Sequence, residues 1–207
     1  MTKHSNKKYH HGDLKAALLK AAEHLIIIKG IDALSLRGIA TEAGVSHMAP
    51  YAHFKNKSEL FQTIAASGFM KLARKLKRIK KKSLKSDDLV LLYGVAYIKF
   101  AISNPQLYKL MLSQTHPEQQ VKKNIQIKKS VSESEKKLNQ ASRSTYILLR
   151  DCFTQDETDE HKLNIKAQGA WALVHGVASL LITGQIVIDK KLGIQDFLSI
   201  ATQGLKN

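Results

Sequence analysis

Apolar positions in DLKAALLKAAEHLIIIK (13–29) recur at steps of three and four: Leu14, Ala17, Leu18, Ala21, Leu25 and Ile28. That spacing predicts a helix with one apolar face. Asp13 suits its positive N-terminal end, and Gly30 suits its stop. LRGIATEA (36–43) predicts a second, short helix, with the Ser35 hydroxyl placed to cap it and Gly44 to end it. Ser46 then opens a third short helix over roughly 47–53. Pro50 lies about four residues in and removes one donor, so that helix is expected to be short or irregular. Asn56 followed by Glu59 forms a capping-box arrangement for a helix over 57–80. Along it Leu60, Ile64, Ser67, Met70 and Arg74 follow one line, and Leu72, Leu76 and Ile79 continue an apolar stripe.

Further helices are predicted near 88–103, 105–113, 118–150, 163–188 and 194–205, with Asn104 and Pro105 separating the first two. CFTQDETDEH (152–161) reads as an acidic loop. WALVHGVASLLITGQIVI (171–188) is apolar on almost every side, which calls for burial on several faces and so for a second subunit. Three prolines, few alternating β-branched runs and no internal repeat make the chain all-α. The run KKKSLKSDD (80–88) changes charge sign and loses the apolar pattern. It divides an N-terminal helix-turn-helix domain (1–56) and a connecting helix with basic linker (57–85) from a C-terminal domain (86–207).

Charge sharpens this division. Residues 1–85 hold 18 Lys and Arg against 5 Asp and Glu, a net +13 of the chain's +16. Such a concentration points to a polyanion, with nucleic acid first and an anionic membrane surface second. Two short helices joined through Gly44 match a helix-turn-helix. The third segment has little apolar duty, and His47, Met48, Ala49 and Tyr51 face outward, where they can reach base edges in a major groove. Ser46 is counted with them. Lys55 and Lys57, beside a helix N-terminus, suit phosphate by charge and by free N–H groups.

Other chemistry is thin. Cys152 is the single cysteine, so no internal disulfide or Cys-based zinc cage forms. No secretory signal or run of eighteen uncharged apolar residues is present, and a cytoplasmic protein is expected. There is no phosphate-cradling glycine loop, paired-carboxylate site or Ser-x-x-Lys pattern, so no enzyme is expected. His10 and His11 are adjacent, which chelates poorly; with Lys7, Lys8 and Tyr9 they read as an arm on a DNA backbone, and no metal or cofactor is implied. KLARKLKRIKKKSLK (71–85) reads either as the solvated end of its helix or as a membrane-surface helix. His175 reads as a core histidine bonded to a neighbour or as a polar group in a ligand cavity. Tyr93, Tyr97, Phe100, Tyr108, Met111 and Trp171 are candidates for the same cavity or for plain core.

The stretch ALLKAAEHLIIIKGIDALSLRGIATEAGVSHMAPYAHFKNKSELF closely resembles the N-terminal domain of tetracycline-repressor (TetR/AcrR) type transcription regulators. The run S-L-R-x-I-A-x-x-A-G-V-S and the run Y-x-H-F-x-N-K-x-E-L stand in the family's order and spacing. YHHGDL, AYIKFAISNPQLYKLML and Trp171, His175 and Gly176 resemble one subgroup. The resemblance implies an all-α homodimer whose first three helices bind double-stranded DNA. Its C-terminal bundle would bind a small-molecule effector and dimerise through the last two long helices. It implies that Arg37 touches bases or phosphate, that His47, Met48 and Ala49 read bases, and that Tyr51, His53 and Lys57 meet phosphates. Function is then a sequence-specific regulator, most simply a ligand-released repressor on a palindromic operator; the alternative is a non-specific basic DNA-binding protein.

Overall fold

The computed structural model describes residues 11–80, 86–115, 131–154, 157–189 and 191–204. Among them are eight α-helices, one 3₁₀ turn and no strand. We label the helices α1 (His11–Lys29), α2 (Leu36–Glu42), α3 (Lys57–Lys80), α4 (Ser86–Ser103), α5 (Pro105–Gln114), α6 (Glu133–Arg150), α7 (Glu160–Ile182) and α8 (Gly193–Gly204). The 3₁₀ turn, Ala49–Ala52, lies between α2 and α3.

Helix α3 is the spine. Leu60, Ile64, Ala65, Phe69, Leu72 and Leu76 are buried along it, and it packs against α6, α5, α4 and α1. The expected line through Met70 and Arg74 instead faces solvent, because Phe69 takes the inward place next to Met70. In α1 the inward face runs through Leu18, Ala22, Leu25 and Ile26, and Ile28 is exposed. One buried cluster continues from Leu18 through α3 to Tyr93, Val174 and Leu198, so head and body share a core.

Two contacts fix the body on the spine. Thr145 of α6 is fully buried, and its hydroxyl lies 2.9 Å from the Ala141 carbonyl and 3.3 Å from the Phe69 carbonyl. Gly68 lets α5 come close: a Cβ there would stand 2.5 Å from Met111 Sδ.

Three helices depart most from the expectations. The helix expected over 118–150 begins at Glu133, because Ser132 is extended (ψ 156) and its hydroxyl accepts from the Glu135 N–H. Residues 116–130 lie outside the described residues. The helix expected over 163–188 spans Glu160–Ile182. Asp159 caps its start, accepting from the N–H groups of His161 and Lys162. Gly184, at φ +73, ends it in a conformation that costs other residues about 1–2 kcal/mol. The third helix expected over 47–53 is the single 3₁₀ turn, described next. The leader arm Lys7–His10 and most of the 80–88 boundary fall outside the described residues.

Candidate nucleic-acid interface and interior cavity

The head is built by local capping. Ser35 is extended (φ −141), and its hydroxyl accepts from Gly38 N–H at 3.1 Å. At the other end of α2, Gly44 at φ +67 turns the chain, and Val45 N–H returns to the Ala40 carbonyl at 3.0 Å. Residues 46–48 are turn rather than helix. Ser46 contributes its carbonyl to Ala49 N–H, and its hydroxyl caps nothing; Met48 holds the cap position without a side-chain bond. Pro50 sits in the first turn of the 3₁₀ segment, where its missing donor costs no hydrogen bond, and it is buried. Phe54, at 1% exposure, closes the unit, donating its N–H to the Pro50 carbonyl at 2.9 Å and lying under the Lys15 ammonium.

What this anchor presents is polar or exposed. Arg37, Ser46, His47, Met48, Tyr51, Lys55 and Lys57 are exposed, Ala49 is half-buried, and Met48 reaches 72% exposure although apolar. The Thr41 hydroxyl, missed by sequence reasoning, donates to the Arg37 carbonyl and lies 3.3 Å from His47 Nε2. With its proton so used, the Thr41 oxygen accepts from Nε2–H, and in a neutral ring Nδ1 is left as an acceptor. Asn56 Oδ1 accepts from Glu59 N–H at 3.0 Å, as the capping box requires. The Glu59 carboxylate reaches one residue further than expected, to Lys55 N–H at 2.9 Å. Lys57, first in α3, lies 5.0 Å over the Phe61 ring.

Behind the turn, a cleft of about 1010 Å³ separates the head from α6. Lys15, Lys55, Arg74, Lys77 and Lys137 line it. His53 is half-buried there, and its Nε2 is shut from solvent without a partner among the described residues. In this arrangement Nε2 is not open to the expected phosphate contact of His53.

The body holds a second cavity, of about 610 Å³, between α4, α7 and α8. Tyr93, Tyr97 and Trp171 line it with Phe153, Leu149, Val174 and Leu198. Phe153, Leu149 and Leu198 were not singled out in the sequence, since nothing local marks a residue that meets others only through the fold. Phe100 and Met111 do not line this cavity; they belong to the packed core.

Tyr108 and His175 stand behind its wall. The Tyr108 hydroxyl lies 2.9 Å from His175 Nδ1 and 3.1 Å from the Tyr97 hydroxyl, joining α4, α5 and α7. Both readings of His175 meet here: it is a core histidine bonded to a neighbour, beside the cavity. Burial holds its pKa below the ordinary value, so the ring is neutral, and burial raises Tyr97 and Tyr108. Tyr93 is pushed up to about 12, by burial first and then by Cys152 and Asp151. Among the described residues no three His, Cys, Asp or Glu side chains converge as a metal site.

A compact helical head with an exposed recognition turn, carried on a helical body with a cavity, defines a helix-turn-helix regulator class. Residues 18–64 match the bacterial regulatory proteins of the tetR family, and residues 90–199 match the tetracyclin repressor-like C-terminal domain. The chain belongs to the tetR family of transcriptional regulators, a family of DNA-binding regulators rather than enzymes.

A similar solved structure is a protein of unknown function from Rhodococcus sp. RHA1, 27% identical, with a TM-score of 0.74 over 96% of each chain. A TetR-like transcriptional regulator from Rhodococcus sp. RHA1 shares the fold at 16% identity, with a TM-score of 0.65 over 97% of this chain and 100% of that one. The HTH-type nicotine-responsive transcriptional repressor HdnoR of Paenarthrobacter nicotinovorans is 39% identical over 67 residues, 32% of this chain. That match spans about a third, 34%, of HdnoR.

One helix among those described, α7, is long and apolar enough to cross a membrane by length and composition. It seats Val174, Val177 and Ala178 in the protein core and packs against α4 and α6.

Proposed function

We propose that this chain is a ligand-released repressor acting in the cytoplasm as a homodimer on a palindromic operator. The observation that carries the reading is the recognition turn. Its apolar residues Pro50 and Phe54 are buried as an anchor, while His47, Met48 and Tyr51 are held outward. His47, Met48 and Ala49 read base edges; Arg37, Ser46, Tyr51, His53, Lys55 and Lys57 contact phosphate or adjoining bases. The relative HdnoR, named as a nicotine-responsive repressor, supports the repressive sense.

The apolar helix α7 supports dimerisation. Along its outer side Ile165, Gly169, Ala172 and Leu180 are exposed in the single chain, and Ile200 of α8 is exposed as well. Two subunits paired through α7 and α8 would place their recognition turns in successive major grooves, about 34 Å apart. An effector in the cavity between α4, α7 and α8 would bind the DNA-free arrangement more tightly and shift the population toward it.

The direct test is selection of preferred duplexes from a random pool at about physiological salt, where non-specific retention is weak. An enriched palindrome is expected. Retention that merely fades with salt, with no preferred sequence, would replace this reading by a non-specific basic DNA-binding protein, which the +13 of residues 1–85 also suits. Two substitutions refine it. Lys57→Ala should weaken all sequences alike and lower the slope of log affinity against log salt by about one unit; an unchanged slope removes Lys57 from the phosphate contacts. His47→Ala should relax preference at one base pair of each half-site, at a cost of about 1–3 kcal/mol there. The same selected site from the variant would exclude His47 as a base reader.

A further inference from the structure

Of the three side chains proposed to read bases, Met48 offers a weakly accepting sulfur and Ala49 no polar atom, so His47 sets the hydrogen-bond pattern read there. An imidazole nitrogen presents a donor or an acceptor, and the partner of the other nitrogen decides which. Thr41, in the last turn of α2, is that partner. Its Oγ1 lies 3.1 Å from the Arg37 carbonyl oxygen and 3.3 Å from His47 Nε2. A carbonyl carries no proton, so the first contact is a hydrogen bond only when the Thr41 hydroxyl donates. The hydroxyl has that one proton. The second contact is then a hydrogen bond only when Nε2–H donates to Oγ1. Were the hydroxyl proton turned to Nε2 instead, two oxygens 3.1 Å apart would face each other unbonded. One arrangement satisfies both contacts, and in a neutral ring it leaves Nδ1 bare. The ring is exposed, and Nδ1 has no partner among the described residues.

We infer that Thr41 is a positioning residue for base recognition: it fixes the Nε2–H tautomer of His47, so that Nδ1 accepts from an exocyclic amino group, N4 of cytosine or N6 of adenine. Those amino groups are the donors that base pairs show in the major groove. Guanine N7 and O6 and thymine O4 are acceptors, and each would meet Nδ1 lone pair to lone pair. Two acceptors brought together lose their water without replacement, which is costly. The inference rests on the reading of His47 as a base reader and adds which atom it reads.

The test has two parts. Nitrogen-15 NMR of the full chain without DNA, at about pH 8 where an ordinary histidine is neutral, should show His47 protonated on Nε2. Thr41→Val keeps the shape and removes the acceptor, so both tautomers should appear; Thr41→Ser returns the oxygen and should return the single tautomer. The second part uses the selected duplex, altered at the base pair whose preference His47→Ala relaxes. Every base pair shows one amino donor and one purine N7 in the major groove, so two analogues separate the readings. Deleting the amino group (purine for adenine, or pyrimidin-2-one for cytosine) should weaken the native protein about 5- to 10-fold, as loss of one hydrogen bond allows. The matching 7-deazapurine should change little. His47→Ala should be indifferent to both analogues, which also corrects for any change in the duplex itself. Thr41→Val should lose most of the dependence on the amino group, and Thr41→Ser should keep it. A cost from the 7-deazapurine with none from amino deletion, an Nδ1–H tautomer in the free protein, or a Thr41→Val variant that behaves as native would overturn the inference. A preferred palindrome with any of those results, or with no base pair that answers to His47→Ala, sinks the inference alone. No preferred sequence at all sinks the regulatory reading with it.

Discussion

Replacing Ile165 and Leu180 together by glutamate should turn the protein into a monomer at micromolar concentration and remove operator binding. The two side chains are 54% and 37% exposed in the single chain, on the outer side of a helix otherwise rich in apolar residues. Gly169, Ala172 and Gly176 lie on the same side, and a Cβ at either glycine would meet nothing within 4 Å. A second helix therefore has room to approach closely. In a two-fold interface each substitution acts twice. Burying one such apolar side chain contributes about 1.5–3 kcal/mol. Only the exposed share of each side chain is left to bury, so the four losses remove about 3–5 kcal/mol, before repulsion between the new carboxylates. Nanomolar association corresponds to about 12 kcal/mol, and each 1.4 kcal/mol to about a factor of ten, so with that repulsion the dissociation constant should rise to micromolar or weaker. The fold should persist, because neither side chain contributes to the core of its own chain. Sedimentation equilibrium measures the first effect, and anisotropy on the selected duplex measures the second. A variant that stays dimeric at the same concentration places the subunit contact elsewhere.

Phe54→Ala should cost about 3–5 kcal/mol of stability, the usual loss on truncating a buried aromatic side chain. Against a typical total of about 5–15 kcal/mol, this is a large share. Phe54 is buried beneath the recognition turn, its N–H is bonded to the Pro50 carbonyl, and Lys15 covers its ring. Without the ring, Pro50 is the buried anchor left in the turn, beside the Glu59 carboxylate's bond to Lys55 N–H. Urea unfolding should show the midpoint falling with an unchanged slope, and operator affinity should fall with it. Met48→Ala, a few residues away and 72% exposed, should stay within about 0.5 kcal/mol of the native stability. A loss below about 1 kcal/mol for Phe54→Ala would mean that the turn is held by something other than this ring.

Features that depend on neighbouring residues were readable in the sequence. Ser35, Gly44 and the Asn56–Glu59 pair are each set by a hydrogen bond or a φ angle within a few residues. The same kind of signal marked the start of α6. Ser132 with Glu135 three residues on is a capping pattern, but the polar run before it was read as continuous helix. Gly184 similarly announces the end of α7, ahead of an apolar run that remains apolar outside the helix. The choice of Ile26 over Ile28 as the inward residue of α1 was not readable, because both fit the period and only α1's neighbours decide. The hydroxyl pair of Tyr97 and Tyr108 with His175 joins residues up to 78 positions apart. Composition could nominate its members, and only the packing of α4, α5 and α7 joins them.

The division of labour in the recognition turn also bears on how such a protein changes over generations. The residues that hold the turn, Pro50 and Phe54, are buried, whereas His47, Met48 and Tyr51 are exposed. Drift at those three outward positions is therefore nearly free of folding penalties. If these positions read bases as proposed, a duplicated copy of the gene could acquire a new target sequence in a few substitutions while its body stayed unchanged.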